Sequence, residues 1–408
     1  MNTPVTPFPA DAMLFDPASH EPLTGRAWDE RRACAAIAAI VADAENAFDE
    51  EALWPAHPVD EDDGPIPRPT TLHLGAAGVI WALHELARGG VAELRRDWAD
   101  VALSLVDAYR VQPDFPEIGS GPVPSFWMGE AGILMVAHTL SPAPWQEERL
   151  LETVRANAGN PSWELMWGSP GTMLAAQIMF ERTGAEHWIE AWNISAERLW
   201  AEWHDDLWQQ NLYGSRVHYL GPAHGFAGNV FALARGNALS PGRRAELEAR
   251  AAAVVAHHAV CRDGMAQWPP ALESPRKPQP IRTQWCHGAP GIITSFAKLA
   301  VNDGQLTALL VAGGELTWRA GPLRKGASLC HGTAGNGYAF LKLFERTGDV
   351  VWLERARAFA MHAIEQVELQ KAEYGRGQFT LWTGDPGTAI YLNSCLNARA
   401  DLPTLDYL

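Results

Sequence analysis

Cysteine is scarce in this sequence: five residues, Cys34, Cys261, Cys286, Cys330 and Cys395, are spread over 408 positions. So few thiols, widely spaced and odd in number, exclude a disulfide framework and favour a reducing compartment, so we expect a cytoplasmic protein. The first sixteen residues also lack the basic start of a secretory signal. A cysteine with a special role is therefore expected to bind a metal or to react.

Long apolar runs and positive charge are also in short supply. Residues such as His84 and Glu85 interrupt the most hydrophobic stretches before they reach the ~18–20 residues of a membrane span. With 32 basic against 48 acidic residues, the formal charge is −16, which repels nucleic acid and anionic lipid. We expect neither a membrane span nor a nucleic-acid partner.

Strand patterns are rare, whereas a glycine tetrad is abundant. The tetrad Gly-x-[Ala/Pro]-Gly occurs seven times, beginning at Gly75, Gly129, Gly168, Gly225, Gly288, Gly332 and Gly384. An apolar helical segment such as 79–87 follows each tetrad, and amphipathic segments such as 243–255 alternate with these. A unit of roughly 50 residues holds two helices of average length. The repeats therefore predict an all-α fold, a double-layered α/α toroid of seven helix-pair repeats.

The same pattern suggests how the chain is organised. Residues 1–70 are expected to form an N-terminal arm and first outer helix packed on the barrel, and residues 71–408 the barrel, in a single domain overall. The proline-rich stretch 57–69 is acidic and is predicted to be a solvated surface arm. A second such stretch, 268–280, is predicted to form a wall of the site.

We expect function on the tetrad loops, because a glycine-rich helix start can leave backbone N–H groups exposed. Three loops also contain reactive side chains: His224 precedes the fourth tetrad, Cys286-His287 the fifth and Cys330-His331 the sixth. The first tetrad, at Gly75, has no such neighbour in this interpretation and serves packing alone.

Equivalent positions of a closed ring face a common axis, so these side chains can meet. Two thiolates and one imidazole suit Zn²⁺, and three protein ligands leave a fourth position for substrate. Because His287 and His331 each follow a cysteine, the residues alone leave the choice of histidine open. The other three cysteines lack this context and are expected to be inert.

These loops resemble those of lanthionine synthetase C-like proteins. Gln284-Trp-Cys-His-Gly-Ala-Pro-Gly and Leu329-Cys-His-Gly-Thr-Ala-Gly-Asn look like the two zinc motifs of that family, and Gly221-Pro-Ala-His-Gly-Phe-Ala-Gly resembles its catalytic-histidine motif. The resemblance extends from about Thr71 to Leu396. Three further segments are similar to the stand-alone, eukaryotic-type branch that binds glutathione: Trp268-Pro-Pro, Arg324-Lys-Gly and Gly384-Asp-Pro-Gly.

The resemblance implies a double-layered α/α barrel and a role for particular residues. The zinc ligands would be Cys286, Cys330 and His331, which selects His331 over His287. The catalytic candidates would be His224, as acid or base, and Glu164. Two cations, Lys325 and Arg376, are similar to positions that bind the anionic groups of glutathione or of a phosphopeptide.

The activity that the resemblance implies is zinc-dependent addition of a thiol, from glutathione or a peptide cysteine, to a dehydrated Ser or Thr, which forms a thioether. Elimination of phosphate from phosphoserine or phosphothreonine could precede it. The expected partners are glutathione or another thiol and a peptide or protein with dehydroalanine, dehydrobutyrine or a phosphorylated side chain. Two alternatives stay open: a non-catalytic zinc or glutathione-binding protein, and an α/α-barrel glycoside hydrolase, whose carboxylate pair the repeats do not mark.

Overall fold

The computed structural model describes residues 13–60, 68–116, 118, 121–273, 281–300 and 304–408. Within these ranges the regular structure is helical, apart from four short strands and two 3₁₀ turns. None of the helices described combines the length and hydrophobicity needed to cross a membrane.

Seven helices form an inner ring, and the first glycine of a tetrad is the N-cap residue of each. They are α2 (Ala76–Arg88), α4 (Glu130–Leu140), α6 (Ser169–Thr183), α8 (Phe226–Arg235), α10 (Ala289–Phe296), α12 (Thr333–Thr347) and α14 (Asp385–Leu396). Most of their residues are buried, as expected of helices that are apolar on most sides. Each contacts the next, and α14 contacts α2, so the ring is closed.

Seven further helices form the outer layer. They are α1 (Glu30–Ala47), α3 (Ala99–Val111), α5 (Pro144–Asn157), α7 (Glu186–Ala201), α9 (Pro241–His258), α11 (Gly304–Ala320) and α13 (Val350–Tyr374). Side-chain oxygens of Asp29, Ser240 and Asp349 cap α1, α9 and α13. Because α1 packs against α14, the two ends of the chain close the seventh pair. The predicted double-layered toroid of seven helix pairs is confirmed.

A close backbone approach requires the glycine at the fourth position of each tetrad. A Cβ atom on Gly335 would lie 1.8 Å from the carbonyl oxygen of Leu329, and one on Gly387 would lie 1.9 Å from that of Leu381. The other five tetrads repeat this relation at 2.0–2.3 Å. The obstructing atom is backbone, so a side-chain rotation cannot relieve the contact. Glycine therefore lets each loop lie directly on the helix that follows it.

Carbonyl groups of the loops accept hydrogen bonds from backbone N–H groups at the helix starts. The expectation that these N–H groups are exposed is therefore wrong. The N–H of Ala76 donates to the carbonyl of Pro69, and that of Thr333 donates to the carbonyl of Gly326. Corresponding bonds close the starts of α4, α8 and α14. The physical reason is that each loop folds back over its helix and offers its own carbonyls to the first turn.

Two β-hairpins interrupt the helical pattern just before the reactive loops. Strand β1 (Gln210–Leu212) pairs with β2 (Ser215–Val217), and β3 (Val260–Arg262) with β4 (Met265–Gln267). Both turns place two consecutive residues at positive φ, Tyr213-Gly214 and Asp263-Gly264, as a tight two-residue hairpin turn requires. The hairpins precede α8 and α10, whose loops contain His224 and Cys286.

The segment 54–60 lies against the loop end of the barrel. Trp54 and His57 are buried, and Asp60 Oδ1 accepts a hydrogen bond from Gln378 Nε2 at 2.8 Å. Within the stretch 57–69, the prediction of a solvated arm is wrong for His57, because this residue is 2% exposed and its ring packs on the ring of Tyr374. Residues 1–12 and 61–67 of the predicted arm, and residues 274–280 of the predicted wall, lie outside the described residues. The domain division after residue 70 stays a prediction.

Residues 401–408 fill the barrel from the end opposite the glycine loops. Arginines at the C-terminal ends of α6 and α8 donate to carbonyl oxygens of this segment. Asp406 pairs at 3.0 Å with Lys342 of α12, whose side chain is 0% exposed. Thr404 Oγ1 accepts a hydrogen bond from Trp382 Nε1 at 3.2 Å, directly beneath the loops. The segment thus occupies the inside of the inner ring.

Candidate functional site

In five of the seven repeats, backbone hydrogen bonds around the barrel axis join the residues that lie two positions before each tetrad. The backbone N–H of Cys286 donates to the carbonyl of Cys330 at 3.1 Å, Cys330 to Trp382 at 2.8 Å, Trp382 to His73 at 3.2 Å, and His73 to Trp127 at 3.0 Å. We call these five residues the axial ring. Equivalent positions of distant repeats therefore meet, as the closed ring predicts.

The axial ring brings together three side chains whose donor atoms could hold a metal ion, and we call them the metal-binding group. The ligand atoms of Cys286, Cys330 and His331 all lie within 4.8 Å of one another. Both cysteines are buried and the imidazole is half-buried. His287 is not part of this group, so the geometry favours His331, the histidine that the family resemblance selects.

The two thiols of this group are electrostatically coupled. A hydrogen bond from the Cys330 thiol, outweighing burial, holds the pKa of Cys286 well below its ordinary value. The hydrogen bond to Cys286, followed by burial, raises the pKa of Cys330. Gln284 Nε2 donates to Cys286 Sγ at 2.9 Å and further favours a thiolate there. Two sulfurs that compete for one proton, beside an imidazole, are a donor set that fits a divalent cation such as Zn²⁺.

His224 lies beside the metal-binding group. Its ring centre is 6.2 Å from that of His287, the chain neighbour of Cys286. Its Nδ1 is 3.1 Å from Glu164 Oε2, and its side chain is 19% exposed. Because the carboxylate engages Nδ1, the tautomer is fixed with the proton there, and Nε2 is the nitrogen available to a substrate.

Glu164 is fully buried and accepts more than the bond to His224. Its carboxylate also receives hydrogen bonds from Ser162 Oγ at 3.0 Å and from the backbone N–H groups of Met166 at 2.9 Å, Trp167 at 2.7 Å and Gly168 at 3.1 Å. These bonds tie the carboxylate to the loop that precedes α6 and fix its position. The catalytic role of Glu164 stays a prediction. Its hydrogen bond to His224 means that Glu164 can act by orienting the imidazole.

A cavity of about 330 Å³ borders the metal-binding group. His331 and His73 line it, together with the ammonium-bearing side chain of Lys325 and the carboxyl of Asp60. Burial raises the pKa of Asp60. Lys325 thus lines the cavity, and its binding of an anion stays a prediction, whereas Arg376, half-buried on the turn after α13, is not among the residues that line the cavity.

Two residues of this site escaped the sequence analysis. His73 precedes Gly75 by two positions, the same offset that Cys286 and Cys330 have from their tetrads, so the first tetrad does have a reactive neighbour. Comparison of this offset across all seven repeats would have found it. Tyr219, whose ring centre lies 6.0 Å from those of both His224 and His287, has no such signal.

The comparison with known families decides the assignment. A family model described as "Lanthionine synthetase C-like protein" matches residues 66–406. The chain belongs to the lanthionine synthetase C-like family. The match spans every barrel helix from α2 to α14, so the resemblance carried by the three loop motifs is confirmed.

Two curated proteins and one solved structure are similar to this lanthionine synthetase C-like chain. The chain is 36% identical over 138 residues to "Glutathione S-transferase LANCL1" of Danio rerio and 39% identical over 103 residues to "LanC-like protein GCL1" of Arabidopsis thaliana. These alignments span 31% and 24% of this chain, and only 32% and 24% of the two relatives. A solved structure named "Nisin cyclase" has the same fold, with a TM-score of 0.54 at 16% identity over 88% of this chain and 98% of that one.

Proposed function

We propose that this lanthionine synthetase C-like protein is a zinc-dependent enzyme that adds a thiol, from glutathione or a peptide cysteine, to a dehydrated Ser or Thr and so forms a thioether. The observation that carries the proposal is the convergence of Cys286, Cys330 and His331 beside a cavity, with His224 next to them. The family and the word glutathione in the name of a relative support it. The family assignment does not favour the glycoside hydrolase alternative.

Cys286, Cys330 and His331 would hold the zinc ion and leave one position for a substrate. A free thiol has a pKa near 8.5, and coordination to Zn²⁺ would make it a thiolate at neutral pH. The two cysteinates would balance the charge of the cation, so the substrate sulfur would keep its electron density. A reducing cytoplasm, where glutathione is abundant and thiols persist, is the compartment that we propose for this chemistry.

The remaining residues would place the alkene and move the proton. When sulfur bonds to Cβ, the Cα=Cβ electron pair shifts towards the neighbouring carbonyl, and Cα then needs a proton. Neutral His224, held by Glu164, would first take onto Nε2 the proton that the thiol loses and would then deliver that proton to Cα. In the reverse sense, neutral His224 would take the Cα proton of a phosphoserine or phosphothreonine while phosphate leaves. Lys325 and Arg376 would bind the phosphate or the carboxylates of glutathione.

The decisive experiment measures metal and product together. Purified protein, with its zinc content determined, is incubated with glutathione and either a dehydroalanine peptide or a phosphoserine peptide, and thioether formation is followed by mass spectrometry. Product from the wild-type protein would support the proposal. Tight glutathione binding by the zinc-loaded protein with no product from either peptide would instead support the binding-protein alternative.

Our first prediction concerns the ligands. Replacement of Cys286, Cys330 or His331 by Ala should remove or loosen zinc and abolish product, because three ligands are needed to hold an open tetrahedral site. Cys34→Ala and Cys261→Ala serve as matched controls, since both thiols are exposed and outside the group. Full zinc content in Cys330→Ala would refute the assignment.

A further inference from the structure

The axial ring contains a buried side chain that the proposed mechanism does not use. His73 is 4% exposed, and neither of its ring nitrogens has a hydrogen-bond partner in the described part of the chain. Buried polar groups are nearly always paired, and an unpaired one costs stability. An imidazole in this position therefore indicates a group whose partner arrives from outside the protein.

The ring of His73 is held rigidly. It stacks on Trp382 with the ring centres 5.9 Å apart and the planes within 1° of parallel. The ring centre of Trp127 lies 6.0 Å from that of His73. The backbone is fixed on both sides by the hydrogen bonds of the axial ring. Donors that need no rearrangement during a reaction are the ones that stabilise developing charge most effectively.

His73 also borders the cavity beside the metal-binding group. It lines the same cavity as His331. Burial, followed by the electrostatic effect of His331, lowers the pKa of His73 to about 3, and Cys286 and His224 contribute smaller effects of opposite sign. The imidazole thus lines the cavity together with one predicted ligand, and it is neutral at physiological pH, with one N–H donor and one acceptor nitrogen.

We propose that His73 is a catalytic residue that donates a hydrogen bond to the carbonyl oxygen of the dehydrated Ser or Thr. This role rests on the proposed function. As the S–Cβ bond forms, the Cα=Cβ π bond breaks and its electron pair moves onto that oxygen, giving an enolate. The N–H of His73 stabilises the oxygen without giving up its proton, and the proton that restores Cα comes from His224.

A neutral imidazole suits this task better than a charged one. An imidazolium would transfer its proton to the enolate oxygen or repel a cation bound to the nearby cysteines, whereas a neutral ring polarises the carbonyl and remains unchanged. The apolar stack around His73, with indoles on two sides, is what keeps it neutral. Its chemistry differs for that reason from that of His224, whose Nδ1 faces a carboxylate.

The test compares His73→Phe with His73→Gln. Phenylalanine preserves the flat ring and the stack on Trp382 but removes both nitrogens, and glutamine restores an N–H donor. For His73→Phe we expect wild-type zinc content, a melting temperature equal to or above that of the wild type, and a fall of about 10²–10³-fold in kcat on a dehydroalanine peptide with KM little changed, as for other lost oxyanion donors. His73→Gln should recover part of kcat with an unaltered pH profile.

Any of the following results would contradict the proposed role of His73. Wild-type kcat in His73→Phe would show that the imidazole does not contact the reacting carbonyl. Loss of zinc in that variant would make His73 a part of the metal site, and a lower melting temperature with no rescue by glutamine would make it structural. If the wild-type protein forms no thioether at all, the proposed function fails first and this role fails with it.

Discussion

Three histidines stand directly before a tetrad, yet the neighbouring repeats give each a different environment. His224 faces a carboxylate, His331 faces two thiols, and His287 is buried so that its pKa is lowered. The partner, and not the histidine itself, sets the chemistry of the ring. Sequence can identify the three positions, but a partner from another repeat becomes visible only in the folded ring.

The second prediction separates His224 from Glu164. His224→Asn should keep zinc and stability and still bind a thiol, but slow thioether formation by about 10²–10⁴-fold, as expected for a lost general acid. Glu164→Gln should also lower the rate, and should in addition lower stability by about 1–3 kcal/mol, because an amide cannot accept all the N–H groups that the carboxylate accepts.

Rate, zinc content and denaturant unfolding of the two variants check this assignment. A His224→Asn protein with wild-type rate would rule out the proton donor. Equal instability of the two variants would instead assign both residues to the architecture of the loop.

Among the helices and loops, the repeating unit is a loop that packs on the helix that follows it. The tetrads could be found from the sequence, because glycine at a fixed spacing marks the backbone contact, and helices follow from the apolar segments after them. The repeat pattern predicts helices and does not indicate the two hairpins, although Asp263-Gly264 is a hairpin signal. The satisfied helix starts were missed because only the fold shows which carbonyls turn back over them.

The third prediction tests that contact with a pair of glycines. Gly387→Ala should destabilise the protein by on the order of 3 kcal/mol or more, because its Cβ would lie 1.9 Å from the Leu381 carbonyl oxygen and backbone must shift. Gly242→Ala, in the first turn of α9 with no atom within 4 Å of the added carbon, should be neutral or stabilising by up to about 1 kcal/mol. Equal unfolding free energies of the two variants would contradict the role of the tetrads.

For the molecule as a whole, the repeats predict the closed ring of helices but not the chain segments that cover its loop end and fill its interior. The segment 54–60 over the loop end and residues 401–408 inside the barrel lie outside the repeat pattern. Their placement depends on specific polar contacts between residues far apart in sequence, such as the pair of Asp406 with Lys342. Neither residue belongs to a motif, so composition and periodicity carry no information about the pairing.

The fourth prediction addresses that pair. Asp406→Asn should destabilise the protein by about 3–5 kcal/mol, because the ammonium of Lys342 would stay buried without its carboxylate. Adding Lys342→Met should recover a large part of the loss, since the second change removes the unpaired charge. Asp401→Asn, a control at a partly exposed ion pair with Lys298, should cost about 1 kcal/mol or less. An Asp406→Asn protein as stable as Asp401→Asn would show that the pair does not hold the segment in place.

Because residues 401–408 occupy the barrel behind the axial ring, the reactants of the proposed reaction would reach the metal-binding group from the loop end. Within the described part of the chain, a small thiol and a much larger peptide would then share that approach. A peptide that arrived first would lie across the opening and obstruct the thiol, whereas a thiol that arrived first would leave room for the peptide. The interior segment, far from any reacting atom, would in this way impose a kinetic order on the proposed reaction: thiol first, peptide second, and release of the thioether before the next thiol enters.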